Sequence, residues 1–227
     1  MRRIKEKRIS KSAKFAVSEL FTSIQGESSY AGRICFFIRL AGCNLNCSWC
    51  DTEYARSKIK PNLTIHEIIR NAELSGAKIV EITGGEPLVH DGVFDLCAEL
   101  IKKGFEVLVE TNGSISIKAL PRQVKVIMDC KCPSSGESSK MLFKNFKLLN
   151  KKDEVKFVIA DRIDYDYSNK ILKKYSLLNK TKKVFFCPVA NLLRPKKLAG
   201  WMIEDKCPAI FAVQLHKIIW GKDAKGR

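Results

Sequence analysis

The segment AGCNLNCSWCDT sets Cys43, Cys47 and Cys50 in a C-x3-C-x2-C array, so three thiols converge within eight residues. Soft thiolate ligands suit zinc, copper(I) and iron–sulfur clusters. A structural zinc site closes with four protein ligands, usually as two pairs separated by a long segment, and this loop contains no fourth ligand. Cys35 reads as part of a strand and His66 as part of a helix, and neither completes the set. An iron–sulfur cube held by three cysteines leaves one iron open to a small molecule. On spacing alone, a zinc knuckle or metal-free thiols remain alternatives.

Other words carry polar groups at strand ends. In TGGEP (Thr83, Gly84, Gly85, Glu86, Pro87) the glycines let backbone groups approach a ligand, and Pro87 fixes the following turn. ETNGS presents Glu110, Thr111 and Asn112, and DCKCPSSG presents Asp129, Cys130 and Lys131, groups suited to a ribose or a carboxylate. SIQGES brings the backbone and side-chain hydrogen-bonding groups of Ile24, Gln25, Gly26 and Glu27 together just after the first strand, and Arg39 can pair with a carboxylate through its fork of donors. Gln214 and His216 alternate with Val213 and Leu215, which predicts that both face one side of a strand. Each word also has a plain structural reading: a turn, a neutralised neighbouring acid for Arg39, a helix cap for Thr52, a buried backbone-bonded imidazole for His216.

Short β-branched or aromatic runs alternate with amphipathic segments, the pattern of an α/β protein with a mainly parallel sheet. Strands are predicted at Ala16 to Thr22, Arg33 to Leu40, Lys78 to Ile82, Glu106 to Glu110, Val124 to Met128, Val155 to Ile159, Lys183 to Phe186 and Ala212 to His216. Thr64 with Glu67 forms a capping box ahead of Ile65, Ile68, Ile69 and Ala72, with Gly76 at the stop. A second helix carries Val93, Phe94, Leu96, Cys97, Leu100 and Ile101 and ends at Gly104; a third spans Tyr167 to Tyr175. Right-handed crossovers would curl such strands into an open or closed barrel, with ligands at the C-terminal strand ends. The PSSGESS stretch (133–139) is a loop by composition.

The 41 basic and 24 acidic residues leave a formal charge of +17, and 227 residues with 45% hydrophobic content suit one domain. A basic arm over residues 1–15 and a single domain over 16–227 are expected, the arm as a solvated tail, with RNA contact the sharper alternative. No apolar run approaches the ~20 residues of a membrane span, and no apolar core with a cleavage site follows the basic start, so a cytoplasmic protein is expected. Nine cysteines cannot all pair, and a reducing compartment disfavours disulfides.

The cysteine triplet with Trp49 before its last member resembles the radical S-adenosylmethionine superfamily. The words SIQGES, FIRLAGCNLNCSWCDT, TGGEP and QLHK, spread over roughly Val17 to Trp220, resemble its 7-carboxy-7-deazaguanine synthase family. The resemblance implies a partial, open TIM-like barrel and a lyase that contracts 6-carboxy-5,6,7,8-tetrahydropterin to 7-carboxy-7-deazaguanine with loss of ammonia, in queuosine and 7-deazapurine biosynthesis. It implies a [4Fe-4S] cluster on Cys43, Cys47 and Cys50, with S-adenosylmethionine bound by Trp49, Cys50, Asp51, Gly85, Glu110, Asn112, Asp129, Cys130 and Lys131. It further implies magnesium on Thr52 and substrate contacts from Ile24, Gln25, Gly26, Glu27, Arg39, Thr83 and His216. No catalytic side chain is assigned beyond cluster and cofactor. A homodimer and an external electron donor such as a flavodoxin or ferredoxin are implied as partners.

Two departures from the family pattern stand out: Ser28, where glycine often follows SIQGE, and the cysteines Cys130 and Cys132 flanking Lys131. Two other functions fit the triplet: a radical activase acting on a partner protein, and a non-catalytic metal-containing RNA-binding protein. The charge permits the second, but no RNA-reading motif supports it, and neither nucleic acid nor a membrane is expected as a partner.

Overall fold

A computed structural model describes residues 14–221 and 225–226. Most of the expected basic arm, residues 1–13, lies outside the described residues. Its last two members belong to the fold: Lys14–Phe15 form β1, paired antiparallel with β4 (Leu63–Thr64), and Phe15 is buried. The domain therefore includes residues ahead of the expected boundary at Ala16.

The main sheet has eight strands: β2 (Val17–Ile24), β3 (Ile34–Leu40), β5 (Ile79–Gly84), β6 (Glu106–Thr111), β7 (Lys125–Asp129), β8 (Glu154–Ile159), β9 (Val184–Pro188) and β10 (Ile210–Phe211). Their order is β10-β9-β8-β7-β6-β5-β3-β2. Only β2 runs antiparallel to its neighbour, and β2 and β10 do not pair, so the sheet is an open barrel. Helices α1 (Ile65–Leu74), α2 (Val93–Lys102), α3 (Arg162–Lys174), α4 (Leu177–Lys180) and α5 (Pro195–Glu204) occupy the connections, with α6 (Leu215–Trp220) after β10.

The helices form where the stripes predict. Thr64 Oγ1 accepts from the Glu67 amide at 3.3 Å while Glu67 accepts from the Thr64 amide at 2.7 Å, closing the capping box of α1. Ile65, Ile68, Ile69 and Ala72 are buried on one face of that helix, and Val93, Leu96, Cys97 and Leu100 on one face of α2. Each large side chain buried this way contributes roughly 1.5–3 kcal/mol. Helix α3 starts earlier than predicted because Asp161 caps it, accepting from the Asp164 amide at 2.9 Å.

Two-residue alternation gives the strands two faces. The outer face (Val80, Ile82, Val107, Val109, Val126, Met128, Val155, Phe157) packs with the helices in the larger core. The inner face carries a smaller apolar cluster of Tyr30, Cys35, Phe37, Ile79, Leu108 and Ile127. Toward the C-terminal strand ends the same face turns polar, with Arg39, Glu81, Thr83, Glu110, Asp129 and Lys156 lining a cavity.

The strand predicted over Ala212 to His216 is not formed. The sheet ends at Phe211, and QLHK enters a helix with Gln214 at its N-cap position. A four-residue alternation is the shortest that argues for a strand, and tertiary context overrides it here. Tertiary partners decide instead: the Leu215 amide donates to the Gly26 carbonyl at 2.9 Å, and Gln214 and Lys217, three apart on a helix face, both reach Asp51.

Candidate active site

The cysteine loop leaves β3 and has no regular secondary structure from Ala41 to Cys50. Its start is stitched to the turn after β5. The Gly85 amide donates to the Leu40 carbonyl and the Glu86 amide to the Gly42 carbonyl, both at 2.9 Å. A side chain at Gly85 would place its Cβ 2.1 Å from the Gly42 carbonyl oxygen, and one at Gly84, where φ is +133°, would meet Leu40 backbone at 2.0 Å. Both glycines are therefore required by the approach of two backbones. Glu86 sits fully buried beneath, accepting from the Leu88 amide at 3.0 Å, the Thr111 hydroxyl at 2.8 Å and the Asn112 amide at 2.6 Å, which ties β6 to the same turn. Burial pushes its carboxyl up to about 7 despite those donors.

Cys43, Cys47 and Cys50 line one cavity. Cys43 Sγ accepts from the Leu45 amide at 3.4 Å and from Asn112 Nδ2 at 3.8 Å. Burial pushes the Cys43 and Cys47 thiols up, against the opposing charge of nearby Lys131. No three His, Cys, Asp or Glu side chains among the described residues converge on a single-ion site. A cube attaches each thiolate to its own iron, which spreads its ligands farther apart than one ion does. Next to the sulfurs, Asp129 gives one oxygen to Lys131 at 2.8 Å, while its buried Oδ1 has no partner and remains an acceptor for a ligand. The Lys131 ammonium stands 5.8 Å from the Trp49 ring centre.

A charged floor lies farther along the cavity. Lys156 is buried on β8 and pairs with Glu110 at 2.6 Å and with Glu27. Glu110 also accepts from the Thr83 hydroxyl at 3.0 Å. Burial pushes the Glu110 carboxyl up, but the Lys156 charge and the two hydrogen bonds outweigh it and hold the group ionised. Glu81, 1% exposed, accepts from Gln25 Nε2 at 3.2 Å, and burial together with the Glu110 charge pushes its carboxyl well above the usual range. Gln25 cannot turn over, because its Oε1 accepts from the Glu27 and Ser28 amides at 2.8 and 3.0 Å.

The SIQGES loop and α6 close the open side. Gln214 Nε2 donates at 2.7 Å to both Glu27 and Asp51, and Lys217 pairs with Asp51 at 2.5 Å. Burial raises the Asp51 carboxyl, but the Lys217 charge and the two hydrogen bonds hold it below the usual range. A Cβ at Gly26 would stand 2.3 Å from His216 Nδ1, so the imidazole packs directly on that glycine. Arg39 donates to Glu19 at 2.9 Å and lies over the Phe21 ring at 5.4 Å; Tyr54 donates to the same Glu19 oxygen at 2.8 Å.

The radical SAM superfamily model matches residues 37–134, the stretch that carries the cysteine loop, TGGEP and ETNGS. The 7-carboxy-7-deazaguanine synthase of Koribacter versatilis is 38% identical over 92% of this chain and 99% of the relative. That of Chlorobaculum tepidum is 41% identical over 96% of this chain and all of the relative. The chain belongs to the 7-carboxy-7-deazaguanine synthase family. The crystal structure of QueE from Escherichia coli shares the fold, with a TM-score of 0.75 over 89% of this chain and 95% of that one at 22% identity. As a radical SAM family member the chain uses a [4Fe-4S] cluster and S-adenosylmethionine.

Most of the residues singled out from the sequence gather on this one cavity. Ile24, Gln25, Gly26, Glu27, Arg39, Cys43, Cys47, Trp49, Cys50, Asp51, Thr52, Thr83, Gly85, Glu110, Asn112, Asp129, Lys131 and His216 all line it. Cys130 does not: alternation along β7 turns it outward, and it is fully buried in the helix-side core. Thr52 precedes a short 3-10 turn (Glu53–Ala55) but its hydroxyl caps nothing, so the helix-cap reading fails. Sequence reasoning missed Glu81, Lys156 and Lys217 as functional neighbours. The signal for the first two was present, since each is a charge inside an otherwise apolar run, in step with Thr83 and with Glu154 on the inner face.

Proposed function

We infer that this chain contracts 6-carboxy-5,6,7,8-tetrahydropterin to 7-carboxy-7-deazaguanine with release of ammonia, a lyase step of queuosine and 7-deazapurine formation. The observation that carries the reading is that the cysteine triplet, the SIQGES loop, the TGGEP turn and the start of α6 all line one cavity. Cluster and S-adenosylmethionine together supply, on one-electron reduction, a 5′-deoxyadenosyl radical able to take a hydrogen atom from a substrate carbon.

The chain's own groups then bind, orient and exclude water. Cys43, Cys47 and Cys50 hold the cluster. Trp49, Asp51, Gly85, Glu110, Asn112, Asp129 and Lys131 hold S-adenosylmethionine, with Asp129 Oδ1 as the spare acceptor; Cys130 is withdrawn from that set. Ile24, Gln25, Gly26, Glu27, Arg39, Thr83 and His216 receive the pterin. Its carboxylate suits the Arg39 guanidinium, which would leave Glu19 to bind it. Its donor-rich ring edge suits the Glu27 carboxylate, which Lys156 and Gln214 hold, and the Glu81 carboxyl, to which Gln25 donates. Thr52, with a hydroxyl that caps nothing, is the magnesium ligand; magnesium takes few protein oxygens and completes its shell with water and substrate.

The protein works as a homodimer in the cytoplasm and draws electrons from a flavodoxin or ferredoxin. In keeping with this location, no helix among the described residues is long and apolar enough to cross a membrane.

The test is anaerobic turnover of the reconstituted protein with the carboxytetrahydropterin, S-adenosylmethionine, magnesium and a strong reductant. Deazapurine should appear, and Cys47→Ala should abolish both cluster and product. A protein with a verified cluster that cleaves S-adenosylmethionine yet forms no deazapurine would refute the substrate assignment.

A further inference from the structure

The PSSGESS loop was legible only as a turn-rich connection, yet it grips the cysteine loop along its second half. The Asn46 amide donates to Glu137 Oε1 at 3.0 Å, the Ser48 amide to the Ser135 carbonyl at 3.0 Å, and the Ser48 hydroxyl to the Ser134 carbonyl at 2.7 Å. Trp49 Nε1 donates to the Ser134 hydroxyl oxygen at 3.2 Å. Both residues flanking Cys47, and the one before Cys50, are therefore held by a neighbouring loop.

That neighbouring loop is held in turn by α3. Asp164, in the first turn of the helix and fully buried, accepts from the Ser134 amide at 2.9 Å, from the Ser134 hydroxyl, and from the Ala160 amide at 2.9 Å. The direction of this relay follows from donor chemistry. An indole nitrogen only donates and a carboxylate only accepts, so the single Ser134 hydroxyl proton goes to Asp164 and a lone pair is left for Trp49. Charge on the last acceptor strengthens the bonds behind it.

We propose that Asp164 is a positioning residue for the cysteine loop: through Ser134 it fixes Trp49, and with it the stretch that carries Cys47 and Cys50. The inference rests on the cluster being bound by Cys43, Cys47 and Cys50. Cys43 is held separately, by the Leu45 amide and Asn112, so the two ends of the ligand set are fixed by different parts of the barrel. Groups that orient metal ligands without touching the metal commonly matter 10–100-fold for its retention.

The experiment uses the full chain, reconstituted anaerobically, with Ser134→Ala, Trp49→Phe, their combination and Asp164→Asn. In Asp164→Asn an amide NH2 replaces one of two oxygens that both accept backbone N–H, so this variant is expected to lose some stability; the other two keep the outcome decisive. Iron release from the reduced cluster to a chelator should be about tenfold faster in Ser134→Ala and in Trp49→Phe. The combination should be no faster than either alone, because both cut one chain of bonds. The electron paramagnetic resonance spectrum of the reduced cluster with S-adenosylmethionine should shift in both, while the melting temperature of the cluster-free protein stays near the wild-type value in Trp49→Phe and falls in Ser134→Ala, which also takes a bond from buried Asp164. Release rates and spectra equal to wild type in both variants would overturn the proposal. A variant with Cys43, Cys47 and Cys50 all changed to Ala that still assembles the cluster would instead overturn the cofactor reading beneath it.

Discussion

Lys156 on β8 donates to Glu110 on β6 at 2.6 Å, reaching across β7 beneath the cavity, and the same ammonium pairs with Glu27 of the SIQGES loop. One cation thus serves two carboxylates with only 6% of its side chain exposed. Removing a single member of a buried pair leaves an uncompensated charge, at a cost of about 3–5 kcal/mol. Lys156→Met is expected to destabilise the protein by that order in urea melts. Combining it with Glu110→Gln should recover part of the loss, because one stranded charge is neutralised. Equal melts for wild type and Lys156→Met would show that solvent reaches the pair freely.

Glu81 is the opposite case, a carboxyl without a cation of its own. Its folded-state proton affinity is raised first by burial and then by the Glu110 charge. The folded protein therefore binds a proton that the unfolded chain releases, and the stability this supplies is complete at acid pH and lost as pH rises through neutrality. Glu81→Gln mimics the protonated form and retains an acceptor for Gln25. Its melting temperature should match wild type in acid and exceed it increasingly toward mildly alkaline pH. A constant difference across that range would mean that Glu81 does not titrate there.

Thr52 offers a separation of stability from activity. Its hydroxyl makes no capping bond, so Thr52→Ala should leave stability within about 0.5 kcal/mol of wild type, as for surface changes that remove no partner. If the hydroxyl holds magnesium, the same variant should lose the magnesium dependence of turnover while still cleaving S-adenosylmethionine. Turnover with undiminished magnesium stimulation would remove Thr52 from the site.

The sheet and the position of the site were legible because both rest on local patterns. Short β-branched and aromatic runs located the parallel strands, the Thr64 and Glu67 pair marked α1, and motifs at C-terminal strand ends pointed to the cavity. What stayed hidden depends on partners distant in sequence. The helical turn at Leu215 is set by Gly26 and Asp51. The outward turn of Cys130 follows from β7 parity, readable only once the register with β6 and β8 is known. The role of PSSGESS depends on a buried aspartate in α3, and Pro195 at the start of α5, with Leu198 and Met202 one turn apart, was a missed helix signal.

Gly85 offers the sharpest test of how the cysteine loop is held. A methyl group there would stand 2.1 Å from the Gly42 carbonyl oxygen and 3.0 Å from that of Ala55, and both obstacles are backbone, which cannot swing aside as a side chain would. The Gly42 carbonyl accepts the Glu86 amide, and the Gly42 amide donates to Ala55 at 2.8 Å, so moving the chain breaks the bonds that anchor the residue before Cys43. Gly85→Ala is thus expected to destabilise the fold by about 1–3 kcal/mol, the range for overpacking a tight site. It should also reduce the iron retained after reconstitution. Gly76→Ala is the matched control: that glycine ends α1 with φ +68° and open space around it, so a methyl group adds backbone strain without touching the loop. It should lower stability and leave iron content unchanged. Iron retention in Gly85→Ala equal to that in Gly76→Ala would show that the TGGEP turn does not hold the cysteine loop.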